Sequence, residues 1–431
     1  MDSDAAFKKI HFIGIGGIGV SAIARKMFLE GHKVTGSDMH ESPITEELKR
    51  LGVEVYVGHR GGNLADDTEL VVHTIAIPES NVELAKARER GIETRTYPEM
   101  LGRISRDLYT LAISGTHGKT TTTAMLGKIV RDARLDPTVI VGSIMKDVNS
   151  NLVVGKGKHL IAEACEYRRS FLNLSPKVVV ITNIDAAHLD YYRDLADVQK
   201  AFTELVAKIP SDGYLVCDPN DPHVTPVAET ALCTVVDYSL VAMPLHLKVP
   251  GEHNRKNARA AAAAARVLGI ADGDIKQSLE NFSGTWRRLE HKGETREGAT
   301  LYDDYAHEPE EVAASLAALR ERHGNEVNLH VVFRPHLYSR TKTLLHEFGP
   351  SFRKASHVYV TDIYAAREEL DPTIHSLDLT AAINRISRNA EYIATFDEVE
   401  KALGIKLAKG DVVVTMGAGD IYELAEKLTN I

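Results

Sequence analysis

Several features that would place this chain in a specialised class are scarce in its sequence. Its three cysteines, Cys165, Cys217 and Cys233, are too few and too scattered for a disulfide framework or a zinc site. With 51 basic against 60 acidic residues, the formal charge of −9 leaves no basic stripe for nucleic acid. No apolar run approaches the roughly 20 residues of a membrane span, and residues 1–9 hold no signal-peptide core. We therefore predict a cytoplasmic enzyme or switch that binds neither nucleic acid nor membrane.

The length and the pattern of the sequence predict an α/β protein of several domains. At about 150 residues per domain, 431 residues correspond to roughly two to four domains. Strand and helix patterns alternate along most of the chain, and this rhythm is typical of parallel sheets covered by helices. We predict three domains, with bounds 1–106, 107–293 and 294–431.

The most informative motif is Ser-Gly-Thr-His-Gly-Lys-Thr-Thr-Thr at residues 114–122. It follows an apolar stretch and precedes a helical pattern, so it predicts a strand, a phosphate-binding loop and a helix. In such a loop Lys119 reaches the outer phosphates of a nucleotide, and the Thr120 hydroxyl can hold Mg²⁺. The general pattern places a glycine five residues before Gly118, where this chain has Ile113, so the loop is shorter and begins at Gly115.

A second glycine loop lies near the N-terminus. Gly14, Gly16 and Gly19 follow a predicted strand, and Asp38 stands about 20 residues further on, as in dinucleotide-binding proteins. The glycines let the backbone approach a pyrophosphate at a helix N-terminus. Any nucleotide diphosphate fits this requirement, including that of a nucleotide sugar, so this loop alone does not separate NAD from other ligands.

Ordered motifs over some 400 residues resemble the Mur ligases, cytoplasmic enzymes that build the peptide stem of peptidoglycan. The phosphate loop looks like their ATP loop, and the first glycine loop is similar to that of the branch that joins L-alanine to UDP-N-acetylmuramate. The remaining motifs stand at 182–185, 188–191, 251–257, 287–288, 303–307, 335–340 and 416–420.

The resemblance implies a fold and a reaction. The fold comprises a Rossmann-like N-terminal UDP-binding domain, a central P-loop ATPase-type domain with a parallel sheet, and a Rossmann-like C-terminal domain for the amino acid. ATP phosphorylates the lactyl carboxylate of UDP-N-acetylmuramate, and the amine of L-alanine then attacks the acyl phosphate. Two anions must meet in this reaction, so the site needs positive charge around them. The resemblance also implies Mg²⁺, a second divalent ion that is Mg²⁺ or Mn²⁺, and a monomer or weak homodimer.

The resemblance further implies roles for individual residues. The implied catalytic residues are Lys119, His188, His307 and Arg340. The implied ATP-binding residues are Gly115, Thr116, His117, Gly118, Lys119, Thr120, Thr121, Asn254, Asn257, Arg288 and Asp304. The implied substrate-binding residues are Gly14, Gly16, Gly17, Ile18, Gly19, Ser37, Asp38, Tyr305 and His336. The implied metal ligands are Thr120, Glu163 and His188, with Glu166 as the competitor of Glu163.

The chain departs from the pattern at a few positions. Family members that add the later residues of the peptide stem carry a carbamylated lysine fourteen positions after the histidine that matches His188. This chain has Phe202 at that position, in agreement with the L-alanine branch. Arg168 and Arg169 replace polar or acidic residues and either contact a substrate anion or pair with Glu166. The substitutions also include Glu308 in place of a histidine and Leu337 in place of an arginine. These departures leave the identity of the added amine open.

Other functions fit less of the sequence. A related ligase that adds another amino acid, or a preformed peptide in cell-wall recycling, shares every motif. An NAD-dependent oxidoreductase accounts for the first glycine loop but leaves Lys119, His188 and the C-terminal motifs unused. A nucleotide-binding regulator without catalysis predicts loss of Lys119 or of the metal ligands, and these are intact.

Overall fold

The structure is a computed structural model that describes residues 7–188, 191–242, 246–366 and 368–429. Leu189 and Asp190, from the motif that begins at His188, lie outside the described residues. The chain divides into two compact units, one within residues 1–246 and 256–282 and the other within 247–255 and 283–431. Among the described residues no helix is long and apolar enough to cross a membrane.

The first sheet has five parallel strands in the order β3-β2-β1-β4-β5. Its strands are β1 (Lys9–Ile13), β2 (Lys33–Asp38), β3 (Glu54–Val57), β4 (Leu70–His73) and β5 (Glu93–Thr96). Its helices are α1 (Ile18–Leu29), α2 (Pro43–Leu51), α3 (Val82–Glu89) and α4 (Tyr97–Arg106). Capping boxes begin α2 at Ser42 and α4 at Thr96, so the local sequence sets both helix starts. The predicted parallel sheet is confirmed, and α4 ends where we placed the first boundary.

The second sheet has seven strands in the order β12-β11-β10-β6-β9-β7-β8. Its strands are β6 (Tyr109–Ser114), β7 (Thr138–Met145), β8 (Ser150–Val153), β9 (His159–Glu163), β10 (Val178–Ile181), β11 (Tyr214–Cys217) and β12 (Thr234–Asp237). The helices in this part of the chain are α5 (Lys119–Asp132), α6 (Leu195–Val206), α7 (Thr225–Ala228), α8 (Glu252–Val267) and α9 (Asp272–Glu280). The valine- and isoleucine-rich β10 is fully buried, as expected of a strand covered on both faces.

The third sheet has six strands in the order β13-β14-β18-β15-β16-β17. Its strands are β13 (Glu290–Glu294), β14 (Thr300–Asp304), β15 (Leu329–Phe333), β16 (His357–Val360), β17 (Ala390–Tyr392) and β18 (Val412–Met416). Its helices are α10 (Pro309–His323), α11 (Tyr338–Thr343), α12 (Leu345–Ser351), α13 (Ser376–Asn384), α14 (Phe396–Lys406) and α15 (Tyr422–Leu428).

The structure differs from the sequence-based expectations in three details of these elements. The second and third sheets are not wholly parallel, because β8 runs antiparallel to β7 and β13 antiparallel to β14, each at a sheet edge. The alanine-rich helix, predicted from Ala258, begins at Glu252, directly after Gly251 at φ 101°. β13 also crosses the predicted boundary at 293/294. The domain bounds stay predictions.

Candidate active site

The predicted phosphate loop lies at the carboxyl ends of three neighbouring parallel strands. β6 leads into the loop and is flanked by β9, which ends at Glu163, and by β10, which leads to Thr182 and Asn183. In a parallel sheet these ends meet at one edge, where ligands bind in α/β folds. Adjacent strands therefore bring together residues that are far apart in the sequence.

Two glycines give the loop its shape. Gly115 and Gly118 have φ of 128° and 83°, in the left-handed region. A Cβ on Gly115 would stand 2.1 Å from Oγ1 of Thr182, and one on Gly118 would stand 2.2 Å from Oδ1 of Asn257. The helix α5 begins at Lys119, so its first N–H groups, which lack intrahelical acceptors, face the loop. The observed strand, loop and helix confirm the predicted order of elements.

The segment after β10 anchors the loop, a role for which the sequence analysis named no residue. The backbone N–H of His117 donates to Oδ1 of Asn183 at 2.9 Å, and the hydroxyl of Thr182 donates to the carbonyl oxygen of His117 at 2.6 Å. The backbone N–H of Asp185 donates to Oγ1 of Thr116 at 2.8 Å. In the sequence, the polar residues of the 182–185 segment directly after an apolar strand were the signal that could have indicated this anchoring role.

Lys119 forms the electrostatic centre of this region. Its Nζ donates to the carbonyl oxygens of Gly115 and Thr116 at 2.6 and 2.9 Å, and to Oε1 of Glu166 at 3.0 Å. Glu166 is 1% exposed, and its Oε1 lies 3.5 Å from Nε2 of His188. Burial favours the neutral form of Glu166, but Lys119 and His188 together hold the pKa of Glu166 below its usual range. Burial likewise opposes the charge on Lys119, yet the Glu166 carboxylate raises the pKa of Lys119. Both groups are charged.

Beside Lys119 and Glu166, the side chains of Thr120 and Glu163 form a pair of oxygen atoms that could act as metal ligands. The hydroxyl of Thr120 donates to Oε1 of Glu163 at 3.0 Å, and Oε2 of Glu163 accepts from the backbone N–H of Gly142 at 2.7 Å. Hydroxyl and carboxylate oxygens are the donors that Mg²⁺ prefers, so this pair fits the predicted metal site. Thr121, the next residue of α5, is buried.

The two unusual arginines near Glu166 point elsewhere. Arg169 pairs with Oε2 of Glu204 at 2.5 Å and with Oδ1 of Asp197 at 3.2 Å. The guanidinium of Arg168 lies 5.5 Å from the centre of the Tyr167 ring. The alternative that Arg169 pairs with Glu166 is therefore wrong, because α6 supplies two carboxylates and Lys119 takes Glu166.

The first glycine loop connects β1 to α1. The backbone N–H groups of Gly14 and Ile15 donate to the carbonyl oxygen of Ser37 at 2.8 and 3.0 Å, and that of Gly16 donates to Oδ2 of Asp38 at 2.9 Å. A Cβ on Gly19 would stand 2.7 Å from the Tyr97 ring, so a larger residue here would displace that ring. Gly17 caps α1, and Ile18 is the first residue of that helix.

The predicted substrate residue Ser37 is fully buried beneath this loop. Its hydroxyl donates to Oε2 of Glu83 at 2.5 Å, and Nδ1 of His59 lies 2.9 Å from the same hydroxyl. Glu83 also accepts from the backbone N–H of Arg60 at 3.0 Å, and Nε2 of His11 lies 3.4 Å from its Oε2. The side chain of Ser37 therefore supports the loop from inside the domain.

In the third sheet, Asp304 ends β14 and is 4% exposed. It accepts from the hydroxyl of Ser315 at 2.5 Å and from the backbone N–H of Ala306 at 3.1 Å. Burial outweighs these bonds and the charge of Arg288, and raises the pKa of Asp304 to about 6. The guanidinium of Arg288 lies 5.2 Å from the centre of the Tyr305 ring.

His307, His336 and Arg340 are brought together beside Tyr305. The ring of His307 lies 5.2 Å from that of Tyr305 and 5.6 Å from that of His336. Nδ1 of His307 lies 2.9 Å from the carbonyl oxygen of Tyr305, which can only accept, so Nδ1 carries the proton and Nε2 is an acceptor. Burial lowers the pKa of His307, which keeps the ring neutral. Nη1 of Arg340 donates to Nδ1 of His336 at 2.8 Å.

The substituted residues of this region form contacts of their own. Oε1 of Glu308 lies 3.4 Å from Nε of Arg340. Leu337 is buried at φ 69°, and Arg334, three residues earlier, pairs with Oδ1 of Asp420 at 2.8 Å. Relative to the family pattern, the region around Arg340 therefore gains the Glu308 carboxylate. It loses the arginine expected at position 337, because Arg334 pairs with Asp420 instead.

The predicted site residues thus fall into three groups, around the first glycine loop, the phosphate loop and the end of β14. Asn257 lies against the phosphate loop through Gly118. Asn254 is buried, and its Nδ2 donates to the carbonyl oxygen of Pro250 at 2.7 Å. The individual roles of these residues stay predictions.

The chain was also compared with known proteins. Family models match residues 9–109 (Mur ligase family, catalytic domain), 113–243 (Mur ligase middle domain) and 287–419 (Mur ligase, glutamate ligase domain). The UDP-N-acetylmuramate–L-alanine ligase of Clostridium acetobutylicum is 40% identical over 447 residues, covering 97% of each chain.

Solved structures show the same similarity. The UDP-N-acetylmuramate–alanine ligase of Thermotoga maritima superposes with a TM-score of 0.83 at 28% identity, covering 97% of this chain and 98% of that one. A murein peptide ligase from Psychrobacter arcticus has a TM-score of 0.72 at 21% identity over 98% of both chains, which shows a shared fold.

Proposed function

The chain belongs to the Mur ligase family, and from this premise we propose that it joins L-alanine to UDP-N-acetylmuramate. The reaction is an ATP-dependent amide formation. The observation that carries the proposal is the meeting of Lys119, Thr120 and Glu163 at the ends of β6 and β9. In a chain 40% identical over nearly its full length to an L-alanine ligase, this arrangement serves phosphoryl transfer to a carboxylate.

The first step activates the carboxylate. A lactyl carboxylate oxygen of UDP-N-acetylmuramate attacks the γ-phosphorus of ATP, the bond to the β–γ bridging oxygen breaks, and ADP leaves. Lys119 neutralises the γ-phosphate, and the first N–H groups of α5 bind phosphate oxygens. Glu166 holds Lys119 against the loop.

Thr120 and Glu163 would hold Mg²⁺. His188, whose Nε2 lies 3.5 Å from Oε1 of Glu166, would be a ligand of the second divalent ion. The bound ion supplies positive charge to the phosphates as they approach the carboxylate. The first glycine loop binds the UDP diphosphate, with Asp38 fixing its shape through Gly16.

The second step forms the amide. The neutral amine of L-alanine attacks the acyl carbon, inorganic phosphate leaves, and the nitrogen loses a proton. Nε2 of His307 accepts that proton, because the ring is neutral and its Nδ1 is already bonded. Arg340, oriented by His336, stabilises the negative charge that develops.

Phosphate release tests the proposal. The purified chain is given ATP, Mg²⁺ and UDP-N-acetylmuramate and is offered L-alanine, glycine, L-serine or a preformed peptide. We expect one phosphate per amide formed, with L-alanine preferred. Preference for another amino acid or for the peptide would refute the assigned amine, whereas no phosphate release with any amine would refute the ligase. No phosphate release with any amine, together with reduction of added NAD by some substrate, would favour the oxidoreductase hypothesis instead.

A further inference from the structure

Asn151 joins the start of the first glycine-loop helix to the second sheet. It lies in β8 and is 1% exposed. Its Nδ2 donates to the carbonyl oxygen of Ile18, the first residue of α1, and to the hydroxyl of Ser21 at 2.9 Å. Its Oδ1 accepts from Nη1 of Arg25 at 3.2 Å. Because both ends of the amide are bonded, the side chain has one orientation.

Arg25 strengthens this contact from α1. The residue is 5% exposed, and its Nη1 donates to the hydroxyl of Ser150 at 2.9 Å. Its Nη2 lies 2.5 Å from Oε2 of Glu47. A buried guanidinium is tolerated only where it is paired and hydrogen-bonded, so these bonds select one arrangement of α1 against β8.

The strand next to β8 contacts the predicted metal site. In β7, the backbone N–H of Gly142 donates to Oε2 of Glu163 at 2.7 Å, while Oε1 of Glu163 accepts from Thr120. A Cβ at Gly142 would lie 2.7 Å from that carboxylate oxygen, so a larger residue here would displace the carboxylate. The paired strands β7 and β8 therefore contact both the start of α1 and the carboxylate beside the phosphate loop.

We propose that Asn151 is a positioning residue that sets the distance between the UDP-sugar carboxylate and the γ-phosphate. The inference rests on the proposed function, in which the two anions are carried by the first glycine loop and the phosphate loop. A misplacement of about 1 Å between reacting groups costs about 10²-fold in rate. Asn151 touches neither substrate. It acts through Ile18 and α1.

The test separates binding from the first chemical step. Dissociation constants for UDP-N-acetylmuramate and for ATP are measured by calorimetry, and ADP formation in a single turnover without amine is measured by rapid quench. Asn151→Ala should leave both constants within about threefold and slow ADP formation about 30- to 100-fold. Asn151→Asp should behave alike, because it keeps the shape but cannot donate to Ile18. Val154→Ala, an exposed change directly after β8, is the matched control.

Ser21→Ala removes one of the bonds without changing Asn151 and should slow ADP formation by a smaller factor. It keeps the inference testable if the Asn151 variants do not fold. An unchanged rate in the variants overturns the inference, and so does a rate loss that follows a loss of both affinities. If the parent protein itself forms no ADP with UDP-N-acetylmuramate, the proposed function has failed instead.

Discussion

Glu166 and Asp304 are both almost fully buried carboxylates at predicted sites, yet their pKa values move in opposite directions. Glu166 lies 3.0 Å from Nζ of Lys119 and 3.5 Å from Nε2 of His188, and its pKa is lowered. Asp304 is bonded to a hydroxyl and a backbone N–H, and burial raises its pKa to about 6. Because both groups are deeply buried, the opposite direction of the Glu166 pKa comes from the cation bonded to it.

The comparison separates two kinds of site. Around the phosphate loop, an ion pair with Glu166 holds Lys119 where we propose that it neutralises phosphate charge. At the end of β14, Asp304 accepts hydrogen bonds from a hydroxyl and a backbone N–H, and this environment suits the ATP-binding role predicted for it.

The largest effect should come from Lys119→Ala. Without this cation the γ-phosphate loses its main protein charge, so we expect amide formation to fall about 10³-fold or more. UDP-N-acetylmuramate should still bind to the first glycine loop, as calorimetry would show. Lys128→Ala is the control, because Lys128 lies in the same helix and pairs with Asp132 at 3.0 Å. Loss of UDP-sugar binding without unfolding would contradict the division between the two loops.

Glu166→Gln should come next, with its main effect on stability. It leaves the charge of Lys119 buried without its partner, and we expect the free energy of unfolding to fall by about 3 kcal/mol. Saturating ATP and Mg²⁺ should recover much of this loss, because the nucleotide phosphates replace the missing carboxylate beside Lys119. Thermal denaturation with and without ATP measures this recovery. Glu204→Gln is the control: it breaks the more exposed pair with Arg169 and should cost below about 1 kcal/mol. Equal losses of unfolding free energy in Glu166→Gln and Glu204→Gln would show that the buried pair with Lys119 contributes no more than the exposed pair with Arg169.

Asp304→Asn should change the pH dependence of stability. The folded pKa of about 6 stands above the ordinary value of 3.8, so this group costs stability as pH rises from about 4 to 6, and the cost persists above 6. The stability difference between variant and parent, measured by urea unfolding, should therefore be about 2–3 kcal/mol more favourable to the variant at pH 7 than at pH 4. Ser315→Ala removes a bond to the carboxylate and should enlarge the parent's pH dependence. If the difference in unfolding free energy between Asp304→Asn and the parent does not change with pH, the raised pKa of Asp304 is contradicted.

The sequence predicts the phosphate loop well because its information is local. A buried strand, glycines at the turns and Lys119 at the helix start are contiguous. Glu163 is named through the family resemblance, but its contact with Thr120 and the anchoring role of Asn183 required knowing which strands are neighbours. The order β10-β6-β9 is not written in any one segment. The contacts of Asn151 lie beyond sequence reasoning, since its partner Ile18 is 133 residues away and no periodicity links them. The direction of the Asp304 pKa also needed the fold, because burial is a property of the packed domain.

Glu308→Gln should give the smallest effect, and it tests a third carboxylate that is neither deeply buried nor closely paired. Its Oε1 lies 3.4 Å from Nε of Arg340, and both side chains are partly exposed, so the pair contributes below about 1 kcal/mol. Arg340 keeps its bond to His336, so we expect KM for L-alanine to rise about two- to fivefold with kcat nearly unchanged. Glu321→Gln, which breaks a surface pair with Arg255, should leave both constants alone. A large fall in kcat would instead place Glu308 against the reacting amine, and no change at all would show that Arg340 is oriented by His336 alone.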